Sequence, residues 1–450
     1  MNLQHRNIHE FSNVDNETFS KNSEGIHKLN NDCIRSIFQY LSIVDRIRIE
    51  RVCKRWQIIS RTSWYDIKDL NFDNELWGFK KSSFIEKINY RIFKKVLNRC
   101  GQFLISIEFY DYNSRLGPNV LNIVARFCPN LQYLYASDLT VSPWSIKNLA
   151  NSCCKIRLFS IGNCTDKCDK ELSALFKRNA DLNQLNVYWN NKITGKCLSK
   201  LNSESIETII FFDCPSILLR HFNVVKNFQN LKVLVMDHFH DSYSFFNNNN
   251  TMDNIGSCSE KLRILTLSSC PLYTTSLDKI ANLTSLECLD LSCNDSVDDD
   301  VLIMIGANCK LLKTVDLSDC NAVTNMGLSH IVSLPLLKSL LIEYLNNISD
   351  EVFTRMPNLI HMDCSYCSNV RNTGLATLIE LSENIEYLNL SNCKNISNEL
   401  LEAAVISTKK RKNNTVLKMY LGQTDIDISK VRNTSPYLKL FPMIVVQLVD

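Results

Sequence analysis

The sequence predicts an α/β fold: a curved solenoid of strand–helix units that follows a short all-helical N-terminal module. The main observation is a strand signature, apolar-x-x-apolar-x-apolar-x-x-Cys/Asn, which returns roughly every 25 residues. Clear copies begin at Leu262, Leu286, Leu312 and Ile385. The second observation is that residues 29–60 carry helix-spaced apolar residues and no copy of the signature. Because one such unit cannot bury its own apolar face, neighbouring units must stack into a continuous core.

Composition limits the kinds of partner and the compartment. Lys and Arg number 50 against 47 Asp and Glu, so the net charge of +3 gives no general reason to expect nucleic acid or a membrane as partner. Most of the 19 cysteines fall in two fixed slots of the repeat, where a small apolar side chain fits, so we expect free thiols in a reducing compartment. The first residues lack the pattern of a signal peptide and no apolar run reaches about 18 residues. We therefore expect a cytoplasmic or nuclear protein, or one found in both.

The N-terminal part divides into a polar tail and a helical module. Residues 1–25 are polar and are predicted to be disordered, and residues 26–72 are predicted to hold the module and a strand that joins it to the repeats. One apolar stripe predicts a first helix that ends near Ser42, and Asp45 is the predicted N-cap of a second helix. The stripe on the second helix consists of Ile47, Ile49, Val52, Cys53, Trp56 and Ile59. A module of this size has a marginal core of its own, so it needs the solenoid or a partner.

The repeats are predicted over residues 73–430, in about 13 units. The first apolar residue of each signature lies at 104, 131, 156, 182, 206, 231, 262, 286, 312, 337, 359, 385 and 416. Two intervals are longer than the rest, before Leu262 and before Val416, and both hold polar residues that suit loops. Helix N-caps are predicted at Thr324 and Ser349. Residues 431–450 are predicted to form a C-terminal cap or tail, because their final stretch, LKLFPMIVVQLVD, is apolar enough to pack on the last unit.

Two sets of residues resemble known families. The cysteine slots, together with pairs such as Val323-Thr324, resemble the cysteine-containing subtype of leucine-rich repeat. Leu29, the helix through Ile37 and Phe38, and the run from Val52 to Trp56 resemble an F-box. In that family the F-box docks on the Skp-type adaptor of an SCF-type cullin-RING ubiquitin ligase, and downstream repeats hold the substrate. The resemblance implies the same partners here: the adaptor, the cullin and RING subunits reached through it, and a protein substrate.

The sequence departs from the F-box pattern at two positions. Leu29 is followed by Asn30, where the family usually has proline, and Arg46 stands where the family tends to have an apolar residue. Proline would fix the start of the first helix, so its loss is expected to weaken docking without abolishing it. Two interpretations stay open: a divergent F-box that binds the adaptor, and a degenerate F-box that serves only as the N-terminal cap of a leucine-rich-repeat scaffold.

The resemblance gives a set of candidate adaptor-binding residues. They are Leu29, Ile34, Ile37, Phe38, Leu41, Val52, Cys53 and Trp56. Each of them could instead belong to the internal core of the module. Trp56 is the strongest candidate, because a large aromatic ring carries the most buried area at an interface.

Strand alternation gives candidate substrate-binding residues on the concave face. They are Tyr133, Tyr135, Tyr188, Phe212, Asp290, Asp316 and Asp363. Aromatic side chains dominate the early units and carboxylates the later ones, which favours a substrate with an apolar element and a basic segment. The alternative for the carboxylates is a role in solubility and hydrogen bonding within the strands.

Catalytic motifs are missing from the sequence. It contains no Walker-type glycine loop, no HExxH and no Gly-x-Ser-x-Gly, and the pair Cys364-x-x-Cys367 stands in repeat slots rather than in a second metal-ligand pattern. We therefore expect no catalytic residue, no metal and no cofactor. The expected function is that of a non-catalytic substrate receptor of a ubiquitin ligase, and a nucleic-acid-binding solenoid is disfavoured by the near-neutral net charge.

Overall fold

The computed structural model describes residues 25–72, 74–78, 88–109, 116–238, 254–258, 260–270, 277–430, 432 and 435–442. The tail predicted for residues 1–25 lies outside these ranges except for Gly25. In the described part the α-helices are α1 Asn31–Gln39, α2 Ile43–Ile49, α3 Lys54–Thr62, α4 Asn74–Trp77, α5 Tyr90–Cys100, α6 Leu121–Phe127, α7 Pro143–Ser152, α8 Asp169–Arg178, α9 Asp299–Asn308, α10 Asn325–Val332, α11 Asn372–Leu381 and α12 Asn398–Lys409. Within that part no helix is long and apolar enough to cross a membrane.

The strands form one parallel sheet in which each strand pairs with the next in sequence. In the described residues they are β1 Asp69–Leu70, β2 Ser106–Glu108, β3 Tyr133–Ala136, β4 Leu158–Ile161, β5 Gln184–Tyr188, β6 Thr208–Phe212, β7 Val233–Asp237, β8 Ile264–Thr266, β9 Cys288–Asp290, β10 Thr314–Asp316, β11 Ser339–Leu341, β12 His361–Asp363, β13 Tyr387–Asn389, β14 Leu417–Tyr420 and β15 Leu438–Phe441. The sheet lines one side of the chain, with helices on the other side. The predicted α/β solenoid behind a helical module is confirmed.

Each of the thirteen signatures coincides with one strand, from β2 to β14. The apolar positions of the signature point into the core; Leu289 and Leu291, for example, are fully buried. The first strand, β1, lies in the segment predicted to join the module to the repeats, and β15 lies in the segment predicted as a cap or tail. The boundaries drawn between these segments remain predictions.

A left-handed residue follows the strand in most units. The non-glycine residues with this conformation at the strand ends include Trp189, Asp213, His238, Ser269, Cys293, Asp319, Tyr344, Tyr366 and Asn392. Their N–H groups donate to a carbonyl of the next unit; that of Cys293 reaches Ser318 at 2.8 Å, for instance. This turn therefore extends the hydrogen-bond ladder beyond each strand, and the residue that follows it enters the core, as the buried Asn190 and Asn294 show.

The Cys/Asn slot at the end of the signature has a polar role as well as the predicted apolar one. The Sγ atoms of Cys320, Cys367 and Cys393 lie 3.1, 3.0 and 3.1 Å from carbonyl oxygens of the preceding unit. The Asn294 side chain takes the same role and donates to the Leu267 carbonyl at 2.8 Å. A short side chain with a hydrogen-bond donor in this slot thus links consecutive units, which explains why either cysteine or asparagine is found there.

The helical halves of the units match the predictions only in part. Thr324 is the N-cap of α10, and its Oγ1 accepts a hydrogen bond from Met326 at 3.2 Å, as predicted. The prediction of a helix capped by Ser349 is wrong, because only a single 3-10 turn, Asp350–Val352, follows it and no side-chain cap bond forms. Ser349 belongs to the unit whose signature begins at Leu337. The interval from there to the next signature, at Leu359, is the shortest in the array, so the chain has no room for an α-helix in this unit.

The N-terminal module contains three main helices rather than the predicted two. Ser42, and not Asp45, is the N-cap of α2: the Ser42 Oγ accepts from the Asp45 N–H at 3.2 Å. The apolar stripe predicted as one helix is broken between α2 and α3, where Cys53 adopts an extended backbone and its Sγ accepts from the Trp56 N–H at 3.4 Å. Apolar periodicity could not reveal this break, because the stripe stays on the same side of both helices.

The core is continuous along the described part of the chain. One apolar cluster extends from Ile43 to Leu438 and contains inward residues of every strand and of the helices between them, except α3. A second, small cluster consists of Ile34, Phe38 and Ile59 in the N-terminal module. Of the predicted loops, the one before Leu262 falls largely outside the described residues, and the one before Val416 holds Arg411, whose side chain is buried and donates to the Ile385 carbonyl at 2.9 Å.

Candidate adaptor and substrate surfaces

The small cluster of the N-terminal module contains part of the predicted adaptor-binding set. Ile34 and Phe38 are buried, and Leu29, Leu41 and Trp56 pack against them partly buried. The rings of Phe38 and Trp56 meet edge to face, with centroids 5.1 Å apart. These five residues therefore hold α1 against α3, and Ile34 and Phe38 offer no free surface to a partner in this arrangement.

The outer side of α1 presents a different set of apolar residues. Cys33, Ile37 and Tyr40 are spaced by four and three residues, so they share one helix face. All three are exposed, Ile37 by 41% and Tyr40 by 92%. Val52 and Cys53, between α2 and α3, are exposed too. Sequence reasoning missed Tyr40, although its position seven residues after Cys33 places it on this face.

The start of α1 is held without a proline. The Asn30 Oδ1 accepts from the Cys33 N–H at 2.8 Å and so caps the helix. From α3, Arg55 reaches back and donates to the Leu29 carbonyl at 2.6 Å and to the Asn31 Oδ1 at 2.9 Å. The function expected of proline, fixing where the first helix begins, is thus performed here by side-chain hydrogen bonds.

Arg46 stands at a buried position and all its polar atoms have partners. The guanidinium forms a two-pronged ion pair with Asp66, with distances of 2.7 and 2.9 Å, and donates to the carbonyls of Leu41 and Ser63 at 2.9 and 2.8 Å. It also donates to the Gln39 carbonyl and lies over the Trp64 ring, 5.7 Å from its centroid. A buried guanidinium is tolerated only with this degree of pairing, which accounts for a charged residue where the family tends to have an apolar one.

The module is fastened to the first repeats by charge and by aromatic packing. Glu50, at the end of α2, is 8% exposed and forms a two-pronged ion pair with Arg99 of α5, at 2.8 and 2.6 Å. Hydrogen bonding to Glu50 raises the pKa of Arg99. Beside this pair, Phe72 packs on the rings of Trp77, Phe93 and Phe109, with centroids 5.6–5.9 Å apart.

The predicted aromatic residues of the concave face form two groups rather than one. Tyr133 and Tyr135 lie on β3 and are partly buried, and burial raises the pKa of Tyr135. Tyr188 and Phe212 lie at matching positions of β5 and β6, with ring centroids 6.4 Å apart. Strand β4 separates the two groups and presents the buried Ser160 between them.

The second aromatic group is larger than the sequence indicated. The rings of Trp189 and His238 lie 5.8 and 4.9 Å from that of Phe212. Both residues occupy left-handed turn positions, and Trp189 is 51% exposed. Strand alternation could not place them, because the turn changes the direction of the side chain after the strand ends. The exposed rings give this part of the face an apolar character.

The predicted carboxylates lie in a row across β9 to β12. Asp290 and Asp316 are register partners, and Asp363 lies two strands beyond Asp316. Each accepts hydrogen bonds from the serine two residues later; the Ser292 N–H, for example, lies 2.9 Å from the Asp290 Oδ1. Asp363 is only 7% exposed and accepts from Asn389 as well, so it is held mainly inside the face.

The carboxylates repel one another in partly desolvated surroundings. Burial, and then the neighbouring Asp290, raises the pKa of Asp316 to about 6. Burial, and then Asp363 and Asp316, raises the pKa of Glu343 to about 7. Among the described residues no cation forms an ion pair with Asp290, Asp316 or Glu343. This row is therefore suited to a cationic group supplied from outside.

Comparison with known proteins gives one match for the N-terminal module. Residues 26–68 match the family model of the F-box domain. These residues are an F-box domain. They contain α1 to α3 with the Arg46–Asp66 ion pair, and every predicted adaptor-binding residue falls within them. The cysteine-containing repeat subtype stays a prediction.

Two curated relatives match longer parts of the chain. The putative RNA-binding protein EEED8.10 of Caenorhabditis elegans is 23% identical over 424 residues, which cover 92% of this chain and 56% of that protein. The F-box protein SKIP1 of Arabidopsis thaliana is 30% identical over 157 residues, which cover 33% of this chain and 49% of that protein. The chain thus spans about half the length of the curated relatives it matches.

The fold as a whole resembles that of known structures. A chain of the complex of Rad7 and Elc1 in yeast superposes with a TM-score of 0.53 at 18% identity, covering 79% of this chain and 95% of that chain. At this identity the likeness shows the fold alone. In the part of this chain that the structure describes, no group of three or more His, Cys, Asp or Glu side chains could hold a metal ion.

Proposed function

We propose that this protein is the non-catalytic substrate-recognition subunit of an SCF-type E3 ubiquitin ligase. The F-box docks on a Skp-type adaptor and, through it, on the cullin and RING subunits. The concave face of the solenoid binds a protein substrate and presents it for ubiquitination, in the cytoplasm, the nucleus or both. The observation that carries the proposal is the F-box domain with an exposed apolar face on α1, formed by Cys33, Ile37 and Tyr40.

The substrate has two features that match the concave face. An apolar element contacts the aromatic side chains of the early units, including Tyr188 and Phe212. A basic segment lies against the carboxylates of the later units, Asp290 and Asp316 foremost, because no cation of the described chain neutralises them. The join between F-box and solenoid, held by Glu50 and Arg99, fixes the direction in which the substrate is presented.

The first test is co-purification of the intact chain with a Skp-type adaptor and cullin. Substituting Phe38 or Trp56 would test folding rather than docking, because their rings pack together inside the F-box. We therefore choose the double variant Ile37→Glu and Tyr40→Glu, which places charge on the exposed face of α1. Adaptor recovery is expected to fall at least about tenfold, because carboxylates are depleted from interface cores.

The matched control is Ile406→Glu, which changes a similarly exposed apolar residue (57%) on α12, far from the F-box. It should leave adaptor recovery unchanged. Equal recovery with the α1 variant and the control would place docking elsewhere on the module. If even the unchanged chain recovers no adaptor, the alternative function is favoured: a non-ligase leucine-rich-repeat scaffold whose F-box has become an N-terminal cap. Ile43 and Trp64, which belong to the solenoid core, already provide the packing for such a cap.

A further inference from the structure

A groove crosses the helical side of the solenoid at α5, α6 and α7, away from the F-box face and the concave face. Helix α6 has 7 residues, whereas α5 and α7 have 11 and 10, and residues of all three helices line the groove. The cavity has a volume of about 430 Å³. Its walls include Tyr90 and Lys94 of α5, Asn122 and Arg126 of α6, and Trp144 and Asn148 of α7.

The charge on these three helices is of one sign. Their basic residues are Arg91, Lys94, Lys95, Arg99, Arg126 and Lys147, and none of the three contains Asp or Glu. Within the described residues only Arg99 among these is in an ion pair, with Glu50. The next helix, α8, already returns to mixed charge with Asp169 and Glu171. The net charge of +3 for the whole chain therefore conceals a local basic patch.

Two aromatic side chains on the walls of the groove are exposed to solvent. Trp144, in the first turn of α7, is 59% exposed, and Tyr90, the first residue of α5, is 39% exposed. The three helices connect successive strands of a parallel sheet, so they run in the same direction and their first turns lie along the same edge of the helical side. On the walls, the Asn148 Nδ2 donates to the Asn122 Oδ1 at 2.7 Å, which places amide groups beside the rings. Neither ring is needed to fill the core.

We propose that this groove binds single-stranded nucleic acid. Tyr90 and Trp144 stack on bases, Lys94 and Arg126 contact phosphates, and the amides of Asn122 and Asn148 hydrogen-bond to base edges. Exposed aromatic rings in a basic groove are the combination that holds single strands, because every base offers a ring face and every nucleotide a phosphate.

An acidic peptide fits the groove less well. An extended peptide gains much of its affinity by adding a strand to a sheet edge. The groove offers no such edge, because the backbone N–H and C=O groups of α5 to α7 bond to one another within the helices. Bases need only the faces of the rings. The absence of a general charge excess led us to expect no nucleic acid partner, but that expectation concerned the whole chain, and the structure concentrates cations at one place.

The test measures binding of a fluorescein-labelled 12-nucleotide oligouridine to the full chain by fluorescence anisotropy. A 12-nucleotide oligothymidine and a labelled 12-residue polyglutamate peptide serve as the other two probes. We expect one or both nucleic acids to bind, with an affinity that falls as salt rises, and the stronger of the two to identify the type of strand. The peptide is expected to bind at least about tenfold more weakly, because it has no ring to stack.

Two substitutions locate the site. The double variant Lys94→Glu and Arg126→Glu should weaken oligonucleotide binding more than about tenfold and reduce its salt dependence. Trp144→Leu should weaken it by about tenfold and remove the part of the tryptophan fluorescence that the oligonucleotide quenches. The matched controls are Lys170→Glu with Lys177→Glu on α8 and Met326→Leu on α10, all at exposed positions.

Three results would overturn the proposal. In the first, the double variant of Lys94 and Arg126 binds the oligonucleotide as tightly as the unchanged chain. In the second, the α8 control loses as much binding as that double variant. In the third, polyglutamate binds as tightly as either oligonucleotide, and its binding is weakened by the same substitutions. The last would show an acidic protein segment as the occupant. If the midpoint of urea unfolding is the same in all variants, the differences in oligonucleotide affinity reflect binding and not loss of folding.

Discussion

Asp316 shows how a single side chain on the concave face is held in an unfavourable charge state. Its carboxylate is partly desolvated and faces Asp290, its register partner, without a cation from the described chain. Both causes raise its pKa, to about 6, whereas an unfolded aspartate has a pKa of about 3.9. At a pH between these two pKa values, the Asp316 carboxyl therefore stays protonated in the native state but is already ionised in the unfolded state.

The sign of the pH dependence follows from this difference. The contribution of Asp316 to stability is fully present below about pH 4 and is lost as the pH rises through about 6. Asp316→Asn, which cannot ionise, should therefore raise Tm relative to the unchanged chain at pH 8 and raise it much less at pH 4.5. Thermal unfolding at the two pH values measures this, with Asp181→Asn, an exposed carboxylate, as the control. A Tm difference for Asp316→Asn that is equal at both pH values would contradict the account.

The slot at the end of each strand shows how one element is tied to the next. In the unit that begins at Leu286 the slot is Asn294, whose Nδ2 donates to the carbonyls of Leu267, Leu291 and Ser292 at 2.8–2.9 Å. Its Oδ1 accepts from the Cys270 N–H at 3.1 Å. Where a cysteine such as Cys320 occupies this slot, its Sγ makes one such bond to the preceding unit, to the Leu291 carbonyl.

The two slot residues should therefore be partly interchangeable. Asn294→Leu is expected to lower the free energy of unfolding by about 3 kcal/mol, because it leaves several buried backbone groups without partners. Asn294→Cys should cost about half as much, because the thiol keeps one bond to the preceding unit. Urea unfolding measures both, and Asn308→Leu, at an exposed position on α9, should change stability by less than about 0.5 kcal/mol. Equal costs for leucine and cysteine would show that the slot selects only for size.

In the part of the chain that the structure describes, the F-box and the repeats form one continuous body in which each strand and each unit packs against its neighbours. Glu50 and Arg99, together with the aromatic cluster around Phe72, connect the module to the first units. Beyond that, each strand pairs with the next one in the chain. In such a quasi-one-dimensional arrangement a local lesion affects adjacent units and fades with distance.

Breaking the joint tests this locality. Glu50→Gln leaves the Arg99 guanidinium without its charged partner, so amides of α2 and α5 should exchange with deuterium at least about tenfold faster. Amides of β10 to β14 should exchange as before. The matched control is Glu207→Gln, which removes the exposed ion pair with Lys232 and should change exchange little anywhere. Faster exchange along the entire sheet would show that the solenoid unfolds as one cooperative unit.

The sequence by itself determined the repeats, the strands and the F-box. Leu289 and Leu291 could be placed in the core from the signature alone, because strand alternation and the period of a repeat are properties of contiguous residues. The run from Val52 to Trp56 identified the F-box, because that motif too consists of contiguous residues.

Only the tertiary structure decided which surfaces those elements present. The grouping of Trp189 and His238 with Phe212 depends on left-handed turns in two units and on a strand position in the unit between them. The partners of Arg46 come from residues up to 20 positions away. Ile37 and Phe38 are neighbours in sequence, yet one is exposed and the other buried, because α3 covers only one side of α1. The groove is lined by residues of three helices, α5, α6 and α7, that belong to successive units. Such features depend on how separate units lie against each other, and no local pattern of residues records that arrangement.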